Sequence, residues 1–168
     1  VAYVLMEIRP AAVMANVQMP LNFSFVLDQS GSMADDNKID QLREAVKYAI
    51  DLLQPNDLIS IVAFESDTKV LINSQPAHDK NRLKRELDRL EAEGGTRMAP
   101  AIRAALNEVR KNLGRDRVNR LVILTDGQTD AEDDCIREAE NAAQQGVSLV
   151  ALGLGTDWNE ELLTQLSL

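Results

Sequence analysis

The 168-residue chain is 45% hydrophobic and 27% charged, with a net charge of -9 at pH 7; this suits one domain with a substantial core. The acidity argues against non-specific nucleic-acid binding, which needs basic patches, and no apolar run is long enough to span a bilayer. A single cysteine, Cys135, excludes an intrachain disulfide and fits a reducing, cytoplasmic compartment.

No signal peptide is visible, and the chain begins at Val1 rather than Met, so it reads as a segment of a longer protein. Residues 1–9 alternate β-formers loosely and read as a strand that Pro10 stops. Residues 10–20 lie between prolines and read as a linker or hairpin return. Residues 1–20 are therefore set apart, as the cover of a sheet edge or part of a flanking domain.

Residues 21–27 form an apolar run expected to be a central strand. Ile39, Leu42, Val46, Ala49, Ile50 and Leu53 follow at helical spacing, with Asp35, Asp36 and Asn37 expected to cap that helix. Residues 58–64 are a second buried strand. Residues 68–72 follow after a turn too short for a parallel crossover, which predicts an antiparallel edge strand. Residues 79–91 predict a charged surface helix with Leu83, Leu87 and Leu90 inward. A helix near Pro100 carries Ile102, Leu106, Val109 and Leu113. Residues 120–124 are the fourth strand, 133–145 a helix closed by Gly146, and 147–152 the fifth strand. Asn159 caps a short last helix. This alternation predicts an α/β fold: a doubly wound, mostly parallel open sheet, helices on both faces, one antiparallel edge strand.

The stretch Asp28-Gln29-Ser30-Gly31-Ser32 stands where the first core strand ends. Taken alone, such a stretch is more often a turn or a helix cap. Two further pieces change that reading. Asp126 follows the fourth strand, and Thr96 follows Gly94-Gly95 in the loop before the helix that feeds it. With strand order 3-2-1-4-5, strands one and four are neighbours where the order reverses, the place where open α/β sheets bind ligands. Carboxylates and hydroxyls converging there suit a hard cation that prefers oxygen.

With these residues the chain resembles the von Willebrand factor type A domain, which is similar to the integrin inserted domain. Asp28, Ser30, Ser32, Thr96 and Asp126 match the five positions of that family's metal-ion-dependent adhesion site. Ala63-Phe64 and Gly153-Leu154-Gly155 also look like the family, and the resemblance covers about residues 21–168. It implies Mg²⁺, with Mn²⁺ or Ca²⁺ also admissible. Ser30 and Ser32 would bind it directly, the two acids directly or through water, and Thr96 when a ligand is engaged. Hydroxyl ligands leave the ion's charge partly unquenched, so an open position would attract an Asp or Glu of a partner protein. Gly31, Met33, Arg97 and Thr129 are expected at the rim, with Arg97 able to pair with the incoming acid. The family's sheet has a sixth parallel strand after the last helix, which residues 21–168 lack. An exposed sheet edge is therefore expected, and with it a route to a dimer.

Two competing readings remain. Haloacid dehalogenase-like phosphatases also place an Asp after a first strand, and Thr125 with Asp133 and Asp134 fits parts of that pattern. However, Ser30 stands where the second acid is needed. Alternatively, a metal here only staples three loops. Elsewhere His78 reads as a surface residue and Asp133-Asp134 as helix N-terminal acids. Cys135 is either a packing residue or a thiol with a lowered pKa, and Trp158 is either a rim residue or a staple. Gly153-Leu154-Gly155-Thr156 is too short for a dinucleotide fingerprint.

Overall fold

A computed structural model describes residues 19–126, 129, 131–155 and 158–167. The strand expected in residues 1–9 and Gly127 lie outside them. The central strand is β1, Leu21–Asp28. It pairs in parallel with β2, Leu58–Phe64, and with β4, Val118–Thr125. Beyond β4 runs β5, Ser148–Gly153, also parallel. Beyond β2 runs β3, Thr68–Pro76, antiparallel. The order is β3-β2-β1-β4-β5, the order that makes the first and fourth strands neighbours. Strand β3 runs on to Pro76 rather than ending at residue 72. An edge strand tolerates this, because a proline there need not donate to a neighbour on its open side.

Alternate residues of the buried strands feed two cores, one on each face of the sheet. Phe25 and Leu27 of β1 join Ile59, Ile61 and Ala63 of β2 under α1, Lys38–Leu52, and α2, Lys80–Leu87. Val26, Val62, Phe64, Leu121 and Ile123 face the other way. They pack under α3, Met98–Arg110, α4, Glu132–Gln144, and α5, Glu160–Leu166. Strand β1 is thus covered on both faces and flanked on both edges, so its carboxyl end is held from every side.

Two helix starts carry side-chain caps, the one at Asn159 as expected, and the start of α1 does not follow the expected capping. The Asp79 carboxylate accepts from the Arg82 backbone N–H at 3.0 Å, and the Asn159 side chain accepts from Leu162 at 3.1 Å. Both are ordinary N-caps. Asn37 stands at the N-cap of α1 but makes no side-chain cap bond. The chain instead leaves a 3-10 segment, Gly31–Asn37, through Asp36 and Asn37 in the left-handed region, at φ 51° and 57°. Asp and Asn tolerate this conformation better than most residues.

Cys135 settles on the packing side of its two readings. It is fully buried in the α3–α4 core, and burial pushes its thiol up to about 11, despite a hydrogen bond with Thr129 that pulls it down. In native protein at pH 8, Ellman's reagent should find no reactive thiol, and one in urea. A neutral buried thiol adds stability that is complete below the unfolded pKa of ~8.5 and is lost as pH rises through about 11. Urea melts from pH 8 to 11 should therefore show an alkaline loss that Cys135→Ala reduces.

Candidate functional site

The site begins with Asp28, the last residue of β1, which is fully buried. Each of its carboxylate oxygens is held by a donor. The Ser30 backbone N–H donates to Oδ1 at 2.8 Å, and the Thr125 hydroxyl donates to Oδ2 at 2.5 Å. The β1–β4 register pairs Leu27 with Leu124, so Thr125 arrives beside Asp28 by strand pairing alone. Burial pushes the Asp28 carboxyl above its ordinary range, outweighing the bonds from Ser30 and Thr125, and nearby Asp126 pushes the same way. A buried acid in this position favours a cation nearby.

Above Asp28 the loop turns back on itself. The Met33 N–H donates to the Ser30 carbonyl at 2.9 Å, and the Ser30 and Ser32 hydroxyl oxygens stand 3.2 Å apart. Adjacent ligands of an octahedral ion with bonds of ~2.05 Å stand about 2.9 Å apart, so the two hydroxyls are near the spacing of neighbouring ligands on a divalent cation without singling out Mg²⁺. Met33, expected at the rim, is fully buried in the core with Leu27 and Leu42. It anchors the loop from below and offers nothing to a partner. The periodicity that predicted α1 begins at Ile39, which left Met33 to be read as loop.

Backbone hydrogen bonds dock the Thr96 loop onto this turn. The Gly31 N–H donates to the Gly94 carbonyl at 3.1 Å, and the Glu93 N–H to the Gln29 carbonyl at 2.7 Å. On the far side, Gly95 N–H donates to Ser66 Oγ at 2.9 Å and Arg97 N–H to the Glu65 carbonyl at 2.8 Å. Gly94 has φ +74°, and a β-carbon there would run into the Glu65 carboxylate, so this position demands glycine. The Thr129 hydroxyl donates to the Thr96 carbonyl at 3.0 Å, tying the segment after β4 to the same loop. Gly31 and Arg97 are exposed, while Thr96 and Thr129 are half-buried.

Asp126 follows β4 and is fully buried. The Lys38 ammonium donates to its Oδ2 at 3.3 Å and to the Ser32 carbonyl at 3.4 Å. Lys38 and the Thr125 contact with Asp28 lie outside the five motif positions. Both had a signal. A lysine opening a helix sits at the positive end of the dipole, where acids are preferred, and such a misfit invites a partner elsewhere. Thr125 is a hydroxyl one residue before Asp126, on the strand adjacent to Asp28. The acids needed for phosphatase chemistry, Asp133 and Asp134, are exposed in the first turn of α4, with Asp134 paired to Arg137. His78 is exposed, and Trp158 is partly exposed and stacks over Gly153.

Among the described residues, no three His, Cys, Asp or Glu side chains cluster as a metal group. The donors here are instead two carboxylates and hydroxyls, a set for a hard, oxygen-seeking cation. The molecule is thus a doubly wound α/β domain with buried carboxylates and hydroxyls at the carboxyl ends of β1 and β4, where strand order reverses. Residues 22–168 match the von Willebrand factor type A domain, and the chain belongs to that family of adhesion and protein-interaction modules. Membership displaces the phosphatase reading.

The chain is 32% identical to an uncharacterized Synechocystis sp. protein, sll0103, over 87% of its own length and 35% of that protein. It is 25% identical to a solved von Willebrand factor type A structure from Catenulispora acidiphila, with TM-score 0.77, over 88% of this chain and 36% of that one. It also shares its fold with manganese-loaded Plasmodium vivax TRAP protein, at 20% identity and TM-score 0.77, over 88% of this chain and 62% of that one. The chain thus spans about a third of the first two relatives. No described helix is long and apolar enough to cross a membrane.

Thr125→Val removes one donor from the buried Asp28 carboxylate. Urea melts in EDTA should show a loss of about 1–3 kcal/mol, whereas Thr125→Ser, which keeps a hydroxyl, should lose much less.

Proposed function

We propose that the domain binds a partner protein through a divalent cation, with Mg²⁺ the first choice, and that the cation receives an Asp or Glu carboxylate of the partner. The observation that carries this is the Ser30–Ser32 hydroxyl pair, 3.2 Å apart, set over a buried Asp28 whose oxygens are oriented by Ser30 and Thr125. In this reading Ser30 and Ser32 present neutral oxygens. Asp28 and Asp126 supply negative charge, directly or through water, and Thr96 adds an oxygen from the docked glycine loop. When bound, the cation supplies an electrophilic centre for an outside carboxylate oxygen. Neutral hydroxyls quench its charge less than carboxylates would, and this preserves that attraction. Gly31, exposed and without a side chain, leaves the approach open, while Arg97 and Thr129 border it.

The manganese of Plasmodium vivax TRAP protein gives a precedent for a divalent ion on this fold, and Mn²⁺ or Ca²⁺ are second choices here. The role we propose is binding rather than catalysis, in keeping with a family of adhesion and protein-interaction modules. A second reading, a metal that only braces the three loops, draws on the backbone bonds that already join them.

Titration calorimetry with Mg²⁺ should give saturable binding that Asp28→Ala and the double variant Ser30→Ala/Ser32→Ala abolish while the far-ultraviolet circular dichroism stays native. An array of peptides bearing Asp or Glu should then be captured in Mg²⁺, and not in EDTA or when Asn or Gln replaces the acid. Capture that persists in EDTA would count against the proposal. Mg²⁺ binding without capture of any acidic peptide would favour the bracing role.

A further inference from the structure

We infer that Lys38 is a built-in counter-cation of the cleft that lowers its affinity for divalent ions; the inference rests on the function proposed above. Lys38 is the first residue of α1 and is 8% exposed. A cation there opposes the helix dipole, so helix formation does not account for it. Its place is explained by what it meets. The ammonium faces Asp126 Oδ2 at 3.3 Å and the Ser32 carbonyl at 3.4 Å, with 9% and 1% of the Lys38 and Asp126 side chains exposed. The same residue therefore touches both halves of the proposed ion site, the loop after β1 and the acid after β4.

The route to that position is itself shaped. Asp36 and Asn37 take left-handed backbone angles immediately before Lys38. The aliphatic stem then lies against Gly155, at φ +86°, where an added β-carbon would stand 2.7 Å from Lys38 Cε. Glycine at 155 thus leaves room for the lysine stem.

Two features separate a charge effect from a positioning effect. The contacts are longer than the ~2.7–2.9 Å of strong charge-assisted hydrogen bonds, so little directional bonding is lost when the ammonium is removed. The ammonium also lies in a water-poor cleft with two buried carboxylates, Asp28 and Asp126, where a unit charge acts strongly. An entering divalent ion must share Asp126 with it and is repelled by it. Lysine at 38 therefore keeps ion binding weaker, and more readily reversed, than the acids alone would make it.

Titration calorimetry with Mg²⁺ on the intact chain, comparing wild type, Lys38→Met, Lys38→Gln and Lys38→Arg, tests the inference. Removing the charge should tighten Mg²⁺ binding about tenfold or more in both the Met and Gln variants. The Arg variant, which keeps the charge, should stay near wild type. Urea melts establish that each variant is folded. Unchanged or weaker Mg²⁺ binding in Met and Gln, with wild type still binding, overturns the inference and leaves the site reading intact. Weaker binding in Met with wild-type binding in Gln would make Lys38 a positioning residue for Asp126, which also overturns it. If neither wild type nor any variant binds Mg²⁺, this inference and the site reading fall together.

Discussion

The carboxylate of Asp28 is the constraint from which the rest of the site follows. A fully buried acid at the end of a central strand is costly, and burial raises its pKa accordingly. The surroundings respond with one donor for each oxygen, from the Ser30 backbone and the Thr125 hydroxyl. Taking the Ser30 N–H sets the local turn, and that turn brings the Ser30 and Ser32 hydroxyls side by side. Taking the Thr125 hydroxyl requires β4 as an immediate neighbour of β1, which is where the strand order reverses. The loop and the topology therefore answer one electrostatic demand.

The glycine loop is arranged largely by backbone bonds, with two hydroxyls assisting. Gly94 passes Glu65 with a positive φ and gives its carbonyl to Gly31, and the neighbouring Glu93 and Gln29 close a second bond. Bonds of this kind hold the glycine loop against the turn after β1, and the Ser66 and Thr129 hydroxyls add two further ties. Met33 and Leu124 anchor the cleft from the apolar side. The cleft rim is polar while its floor is core, an arrangement that resists rearrangement because close-packed interiors do not deform gradually.

The same economy explains why one domain can be both stable and electrostatically strained. Asp28, Asp126 and Lys38 sit largely out of water, a composition that would destabilise an isolated loop. The two cores on either face of the sheet absorb the cost, with β1 packed between them and carrying the acid at its tip. Stability comes from apolar burial through the middle of the domain, and the polar end uses it.

Much of this was legible in the one-dimensional pattern. Alternating apolar runs and helical spacings defined five strands and their helices, because burial of one face imposes a period that survives in sequence. The short turn at residues 65–67 forced β3 to run antiparallel. Other features could be decided only in three dimensions. The spacing of Ser30 and Ser32 gave no clue that Met33 turns inward, since a 3-10 segment has no long apolar period to reveal its buried side. A lysine opening a helix hints at a partner, but only the fold shows that the Lys38 side chain runs past Gly155 to Asp126, 88 residues away in the chain. Likewise, it is the β1–β4 register that brings the Thr125 hydroxyl onto Asp28. Periodicity records which residues avoid water, whereas the pairing of buried charges depends on which segments the folded sheet makes neighbours.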